Sequence, residues 1–168
     1  FGRRIKSLVF STDVAIIKNI NADAIIAVYP FTPQPAITQA IIGVSEVPVF
    51  CGVGGGLTNG VRSASMAAYV EHQGAYGVVC NSKIGVETIH AIKDAVEIPV
   101  VYTVISENTD IQPYLTAGVD IINVSGAART PEIVGALRQR YPELPIIATG
   151  GPTEESILAT IRAGANAI

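Results

Sequence analysis

The sequence predicts an α/β fold, a (β/α)8 TIM barrel with minimal loops, on three observations. Short β-branched runs alternate with segments of helical period along the whole chain, the pattern of parallel βαβ units. Hydrophobic residues make up 49% of the 168 residues and charged residues only 15%, as expected of strands buried on both faces. The third observation is a weak internal repeat. Three strand candidates open on an apolar residue and a proline: "VPVF" (47–50), "IPVVY" (98–102) and "LPIIA" (144–148). Three others open after a small residue: "NADAII" (21–26), "AGVDII" (117–122) and "AGANAI" (163–168). The two types alternate, so the unit is a βαβα pair of roughly 45–50 residues, and four pairs make eight strands.

In chain order the strand candidates are 5–11, 24–29, 47–53, 76–81, 99–105, 119–124 and 144–149, with an eighth from Ala165 to Ile168. The helical segments between them are 13–21, 35–44, 61–73, 85–96, 110–117, 130–140 and 153–163. Proline at a strand's first residue removes no ladder bond, and glycine before a strand is a common helix stop. Eight parallel strands favour a closed barrel over an open doubly wound sheet. Residues 1–168 read as one barrel domain, C-terminally incomplete, with the eighth strand only begun and the eighth helix absent. Strands one and seven would then border a gap, whose free edges invite a homodimer or higher homo-oligomer.

Composition excludes several function classes. Net charge is -3 and the largest basic cluster is Arg3-Arg4-Lys6, so nucleic acid is not an expected partner. The apolar runs fall far short of the roughly 20 residues that cross a bilayer. Cys51 and Cys80 lie far apart, which fits neither a disulfide framework nor a CxxC metal site and points to the cytoplasm.

Barrel chemistry sits at the C-terminal ends of the strands, and that rule thins the candidates. His72 and His90 fall inside helical segments, leaving no histidine for a Ser-His-Asp triad or a zinc site. Lys83, in "VVCNSK", is the one lysine that follows a strand's C-terminal end; it is either solvated or in contact with an anionic substrate. Asn123 and Ser125, in "VDIINVSG", lie two apart and share a face. They either point into the mouth or satisfy loop backbone.

The third strand runs into "FCGVGGGLTNGVRS" (50–63), with glycines at 52, 54, 55 and 56. This is neither GxGxxG nor a P-loop. Gly54 and Gly55, with Arg62 as the nearest cation, form a ligand-contacting loop or a strained turn. Asp13 and Asp110 suit helix starts, which leaves Glu107 as the general acid/base candidate. In "ATGGPTEES" (148–156), Gly150 and Gly151 can expose backbone N–H groups to an anion and Thr153 can cap the helix. Glu154 and Glu155 already place negative charge in its first turn.

The stretches "IPVVYTV", "AGVDIINVSG" and "LPIIATGGPTEESILATIRAGANAI" resemble the ribulose-phosphate-binding TIM-barrel superfamily. The last is similar to the end of the 2-keto-3-deoxy-6-phosphogluconate aldolases. The resemblance implies a phosphate at Gly150 and Gly151, with the other half of that site in a loop after strand eight. The chain departs from those aldolases where they carry a Schiff-base lysine on the sixth strand, since Asn123 stands there. It also looks like a group of bacterial barrel proteins labelled only "hydrolase". The expectation is a small-molecule enzyme that binds a phosphorylated metabolite at the barrel mouth, of isomerase, epimerase or lyase type. Glu107 would be its acid/base, with Asn123, Ser125 and Lys83 positioning the substrate. Three alternatives stay open: a non-catalytic phosphometabolite sensor, a hydrolase of unspecified substrate, and a barrel that binds FMN through the glycine loop. No metal is expected, and no cofactor other than that FMN.

Overall fold

The computed structural model describes residues 2–149, 151 and 153–168. Seven strands form one parallel sheet in sequence order: β1 (Leu8–Phe10), β2 (Ala24–Ala27), β3 (Val49–Gly54), β4 (Gly77–Cys80), β5 (Val100–Val104), β6 (Ile121–Val124) and β7 (Ile146–Ala148). The helices between and after them are α1 (Val14–Asn19), α2 (Pro35–Val44), α3 (Val61–His72), α4 (Val86–Lys93), α5 (Gln112–Thr116), α6 (Thr130–Arg140) and α7 (Glu154–Arg162). Seven of the eight expected strands and all seven expected helices are present, most of them trimmed at their ends, and the stretch expected to begin an eighth strand forms only an isolated bridge at Ala167. A 3-10 turn at Ala127–Arg129 was not expected; it opens on Ala127 at a positive φ of 51°, a conformation alanine seldom adopts.

The repeat has a structural counterpart. Pro48, Pro99 and Pro145 stand just before β3, β5 and β7, and their carbonyls accept from Ile25, Val78 and Ile122 N–H at 2.9, 2.9 and 3.0 Å. Proline here gives up a donor but keeps its acceptor. At the matching position before the other strands, a polar side chain closes the N-terminal rim. Asp23 accepts from the N–H groups of Lys6 (2.8 Å) and Ser7 (3.0 Å). Asp120 accepts from Val100 N–H (2.8 Å) and from the Lys93 ammonium (2.8 Å). Asn166 accepts from Ile146 N–H (2.8 Å) and from the Arg138 guanidinium (2.7 Å). Ahead of β4 the position is held by Tyr76, which packs edge-on against Phe50.

Strand side chains alternate between two cores. One face, with Ile25, Val49, Cys51, Val78, Val100, Tyr102, Ile122 and Ile146, packs against helix residues such as Ile17, Ile41, Val70, Ile89 and Ile133. The other face gathers Leu8, Ala24, Ile26, Phe50, Val79, Val101, Ile147 and Ala167 into a separate cluster. Residues from both ends of the sheet meet in it, so the sheet curls round as in a TIM-like barrel. Gly77 permits this packing, because a Cβ there would strike the Phe50 ring.

Residues 166–168 lie between the sheet's two edges. Ala167 bridges Ile147 in parallel, and Ala148 N–H donates to Ala167 O at 3.0 Å. On the other side Ile168 N–H donates to Lys6 O (3.0 Å) and Leu8 N–H to Ile168 O (2.8 Å). The gap expected between strands one and seven is thus filled by this short segment. The free-edge argument for an oligomer loses its basis. No described helix is long and apolar enough to cross a membrane.

Candidate functional site

A cavity of about 680 Å3 opens at the C-terminal ends of the strands. Its inner wall continues the strand alternation by one layer. Two residues beyond the packed layer come Phe10 after Leu8, Val28 after Ile26 and Gly52 after Phe50. On the other strands Asn81 follows Val79, Thr103 follows Val101, Asn123 follows Ile121 and Thr149 follows Ile147. Gly54, Gly56, Thr58, Lys83 and Ser125 complete that wall, and Tyr29, Pro30, Phe31, Pro33 and Leu57 form an outer collar.

The mouth is two-sided. The β1–β3 side is apolar, with Phe10 (41% exposed), Val28 (38%), Phe31 (69%) and Leu57 (80%) turned toward solvent. The β4–β7 side is polar and deeper. Asn123 is 2% exposed. Its Nδ2 donates to Thr103 Oγ1 at 3.3 Å, and its Oδ1 has no partner. Exchanging amide oxygen and nitrogen would still leave one end unpaired. Thr149 Oγ1, also buried, has no partner either. A buried polar atom left unpaired costs about 1–3 kcal/mol, and these two face a cavity from which a partner could reach them.

Lys83 is the single charged side chain among the lining residues. It is exposed, but its loop is fixed from below. Tyr102 and Tyr114 stack with ring centroids 4.0 Å apart and planes 7° off parallel. Their hydroxyls donate to Ser82 O (3.3 Å) and Ile84 O (3.1 Å), the carbonyls on either side of Lys83. Lys83 N–H donates to Asn81 Oδ1 at 3.2 Å. Burial, reinforced by the neighbouring Tyr114 hydroxyl, holds the Tyr102 hydroxyl well above the ordinary tyrosine range, so it stays a donor.

The other expected site residues divide. Asn123, Ser125, Lys83 and Gly54 line the cavity. Gly55 is not in the lining; its φ of 98° makes the turn that lets Gly55 N–H donate to Thr58 O at 2.8 Å. Arg62 is exposed on α3, away from the lining. Glu107 also lies off the cavity, and its carboxylate is ion-paired with the Arg129 guanidinium, which removes the geometric ground for a general acid/base there. Gly150 lies outside the described residues. Gly151 sits beside Ser156 rather than in the lining. The α7 start is already capped, with Thr153 Oγ1 accepting from Ser156 N–H and Ser156 Oγ from Thr153 N–H.

Asp13 and Asp110 do serve helix starts, accepting from Ala15 N–H (2.8 Å) and Gln112 N–H (3.1 Å). His72 and His90 lie on α3 and α4. Cys51 and Cys80 are buried free thiols, each pushed up to about 12 by desolvation, and neither is a nucleophile at neutral pH. Residues missed by the sequence reading are Thr103 and Thr149, Asn81 and the apolar collar. Three of them carry the signal used for Asn123: a polar residue two positions past an inward apolar one.

No family model matches the chain, and no curated protein matches it in sequence. Solved structures do match it in shape. A phosphoenolpyruvate phosphomutase from Streptomyces platensis subsp. rosaceus superposes with a TM-score of 0.76 at 15% identity, covering 99% of this chain and 76% of its own. A phosphonopyruvate hydrolase in complex with oxalate and Mg2+ gives 0.75 at 17% identity, covering 98% and 74%. A 2,3-dimethylmalate lyase, a member of the PEP mutase/isocitrate lyase superfamily, gives 0.73 at 15% identity, covering 97% and 73%. At such identities the likeness concerns the fold. The three neighbours named are a mutase, a hydrolase and a lyase, none of them described as a ribulose-phosphate-binding barrel or a 2-keto-3-deoxy-6-phosphogluconate aldolase, and they support the expected resemblance only as far as a TIM-like barrel fold.

The Mg2+ of one neighbour can be tested against this donor set. A hard divalent cation takes oxygen ligands, with carboxylates prominent. Among the described residues the cavity lining contains no aspartate or glutamate. Among the described residues, no group of three or more His, Cys, Asp or Glu side chains could hold a metal. The residues present do not fit a resident magnesium ion.

Proposed function

We propose that the barrel mouth is the active site of an enzyme acting on a small phosphorylated or carboxylated metabolite, with lyase or mutase chemistry. The observation that carries this reading is the buried Asn123 amide, paired at one end only, on the floor of a cavity whose single charged lining residue is Lys83. An anionic head reaching the floor would receive the Lys83 ammonium and the Ser125 and Thr149 hydroxyls. About 680 Å3 is within the usual range for small-molecule sites.

Lyase and mutase steps build negative charge on an enolate-type oxygen, which fixed donors stabilise. Lys83 would serve as one such donor, and Asn123 would serve as another with its amide turned so that Thr103 Oγ1 donates to Oδ1 and Nδ2 faces the cavity. With no carboxylate or imidazole in the lining, proton transfer falls to Lys83 or to a group of the substrate. The same shortage favours a second reading, a phosphometabolite sensor without turnover.

The test is a melting-temperature screen with inorganic phosphate, oxalate, phosphoenolpyruvate and small 2-oxo and 2-hydroxy acids, followed by product analysis for every compound that binds. Stabilisation with turnover supports the enzyme, and stabilisation without turnover supports the sensor. No shift with any anion refutes both.

A further inference from the structure

We infer that this mouth binds its anion without a divalent cation, the Lys83 ammonium supplying the charge that Mg2+ provides in the oxalate-bound neighbour. The inference rests on the anion reading above and adds how the charge is met.

The cavity has a net positive lining, one ammonium and no carboxylate. A magnesium ion placed there would meet amide, hydroxyl and backbone oxygens beside a like charge, and nothing to neutralise it. An anion placed there meets the reverse: Lys83 at the rim, and at the floor the unpaired Thr149 hydroxyl and an Asn123 amide, 2% exposed, whose Nδ2 faces the cavity once Thr103 Oγ1 donates to its Oδ1. Both are needed, since a lone surface lysine would not constitute a site.

Lys83 is also held as a site residue is. The loop at 81–84 is tied at both flanks of Lys83 by the Tyr102 and Tyr114 hydroxyls. It is tied from within by Asn81, whose Oδ1 accepts from Lys83 N–H and whose carbonyl accepts from Ile84 N–H at 3.1 Å. Asn81 N–H in turn donates to Gly54 O at 2.9 Å. The flexible stem is therefore the main freedom the ammonium retains. Among the described residues no hydrogen bond or ion pair engages that ammonium, whereas Lys18 and Lys93 are paired with Glu46 and Asp120.

Oxalate is the probe. Its binding is measured by titration calorimetry in EDTA and again in millimolar Mg2+ at matched free oxalate, because Mg2+ itself complexes oxalate. Equal affinity in the two conditions is expected, with no heat from Mg2+ alone. Lys83→Met, which keeps the stem and removes the charge, should raise Kd at least about tenfold while Lys18→Met leaves it unchanged. Oxalate binding that disappears in EDTA overturns this inference and leaves the anion reading standing. Binding unchanged in Lys83→Met overturns the part played by Lys83. Should oxalate, inorganic phosphate and phosphoenolpyruvate all fail in both conditions, the anion reading itself falls and this inference with it.

Discussion

The two ends of the barrel treat polar groups in opposite ways. At the N-terminal rim Asp120 and Asn166 accept from the N–H of β5 and β7, and Asp23 accepts from the segment that leads into β1. Arg138 there donates to the carbonyls of Gly164, Tyr141, Pro142 and Leu144 and to Asn166 Oδ1. At the C-terminal mouth Asn123 and Thr149 keep buried polar atoms without partners, and Lys83 has no counter-ion in the lining. One end spends its polar groups on the fold; the other holds them in reserve. Barrels in general divide stability and chemistry between these ends, and here the division is visible in hydrogen bonds.

The largest expected effect comes from breaking the satisfied end. Arg138→Met would strip a donor from four carbonyls and from Asn166, several of them partly buried. A loss of about 3 kcal/mol or more is expected, since orphaned acceptors carry roughly 1–3 kcal/mol each. For a chain of this size that lowers Tm by roughly 6–12 °C. Oxalate affinity, measured well below the new Tm, should not change. A drop in affinity as large as the drop in stability would erase the contrast between the two ends.

The unsatisfied end should respond with the opposite sign. Thr149→Val replaces an unpaired hydroxyl with a methyl of similar shape, so stability should rise by about 1 kcal/mol. Anion affinity should fall at the same time. A loss of stability in Thr149→Val would mean that the hydroxyl has a structural partner after all, and would remove one of the two floor groups from the site.

The fold was legible because its signals are periodic. Proline and small-residue strand starts recur through the chain, and each marks a place where the backbone ladder begins. The N-cap positions of Asp13 and Thr153 were legible for a similar reason, since capping is local. The site was legible only where the same strand alternation was followed far enough. Applied to β6 it gives Asn123 and Ser125; applied to β4, β5 and β7 it gives Asn81, Thr103 and Thr149. Glu107 drew notice for its residue type, but a loop carboxylate has no periodicity to say where it points, and Arg129 lies 22 residues further on. The apolar side of the mouth was hidden because Phe10, Val28, Phe31 and Leu57 look like core residues in a list of hydrophobics, and only the fold shows them exposed.

The smallest expected effect concerns pH at the N-terminal rim. The backbone N–H groups of Lys6 and Ser7, in that order, hold the Asp23 carboxyl below its ordinary value of 3.8. A carboxylate whose pKa is lower in the folded chain binds fewer protons there than when unfolded. Its stabilising contribution is therefore complete above about 3.8 and fades as pH falls through the folded value. Asp23→Asn keeps an acceptor but removes the charge. Melting curves of the two proteins from pH 6 down to pH 2.5 should show the wild type more stable at the upper end, with the difference closing in the acid. The rim clasp is exposed, so the gap should be small beside that of Arg138→Met. A gap that persists unchanged at pH 2.5 would show that the geometry of the side chain, and not its charge, ties the first strand to the second.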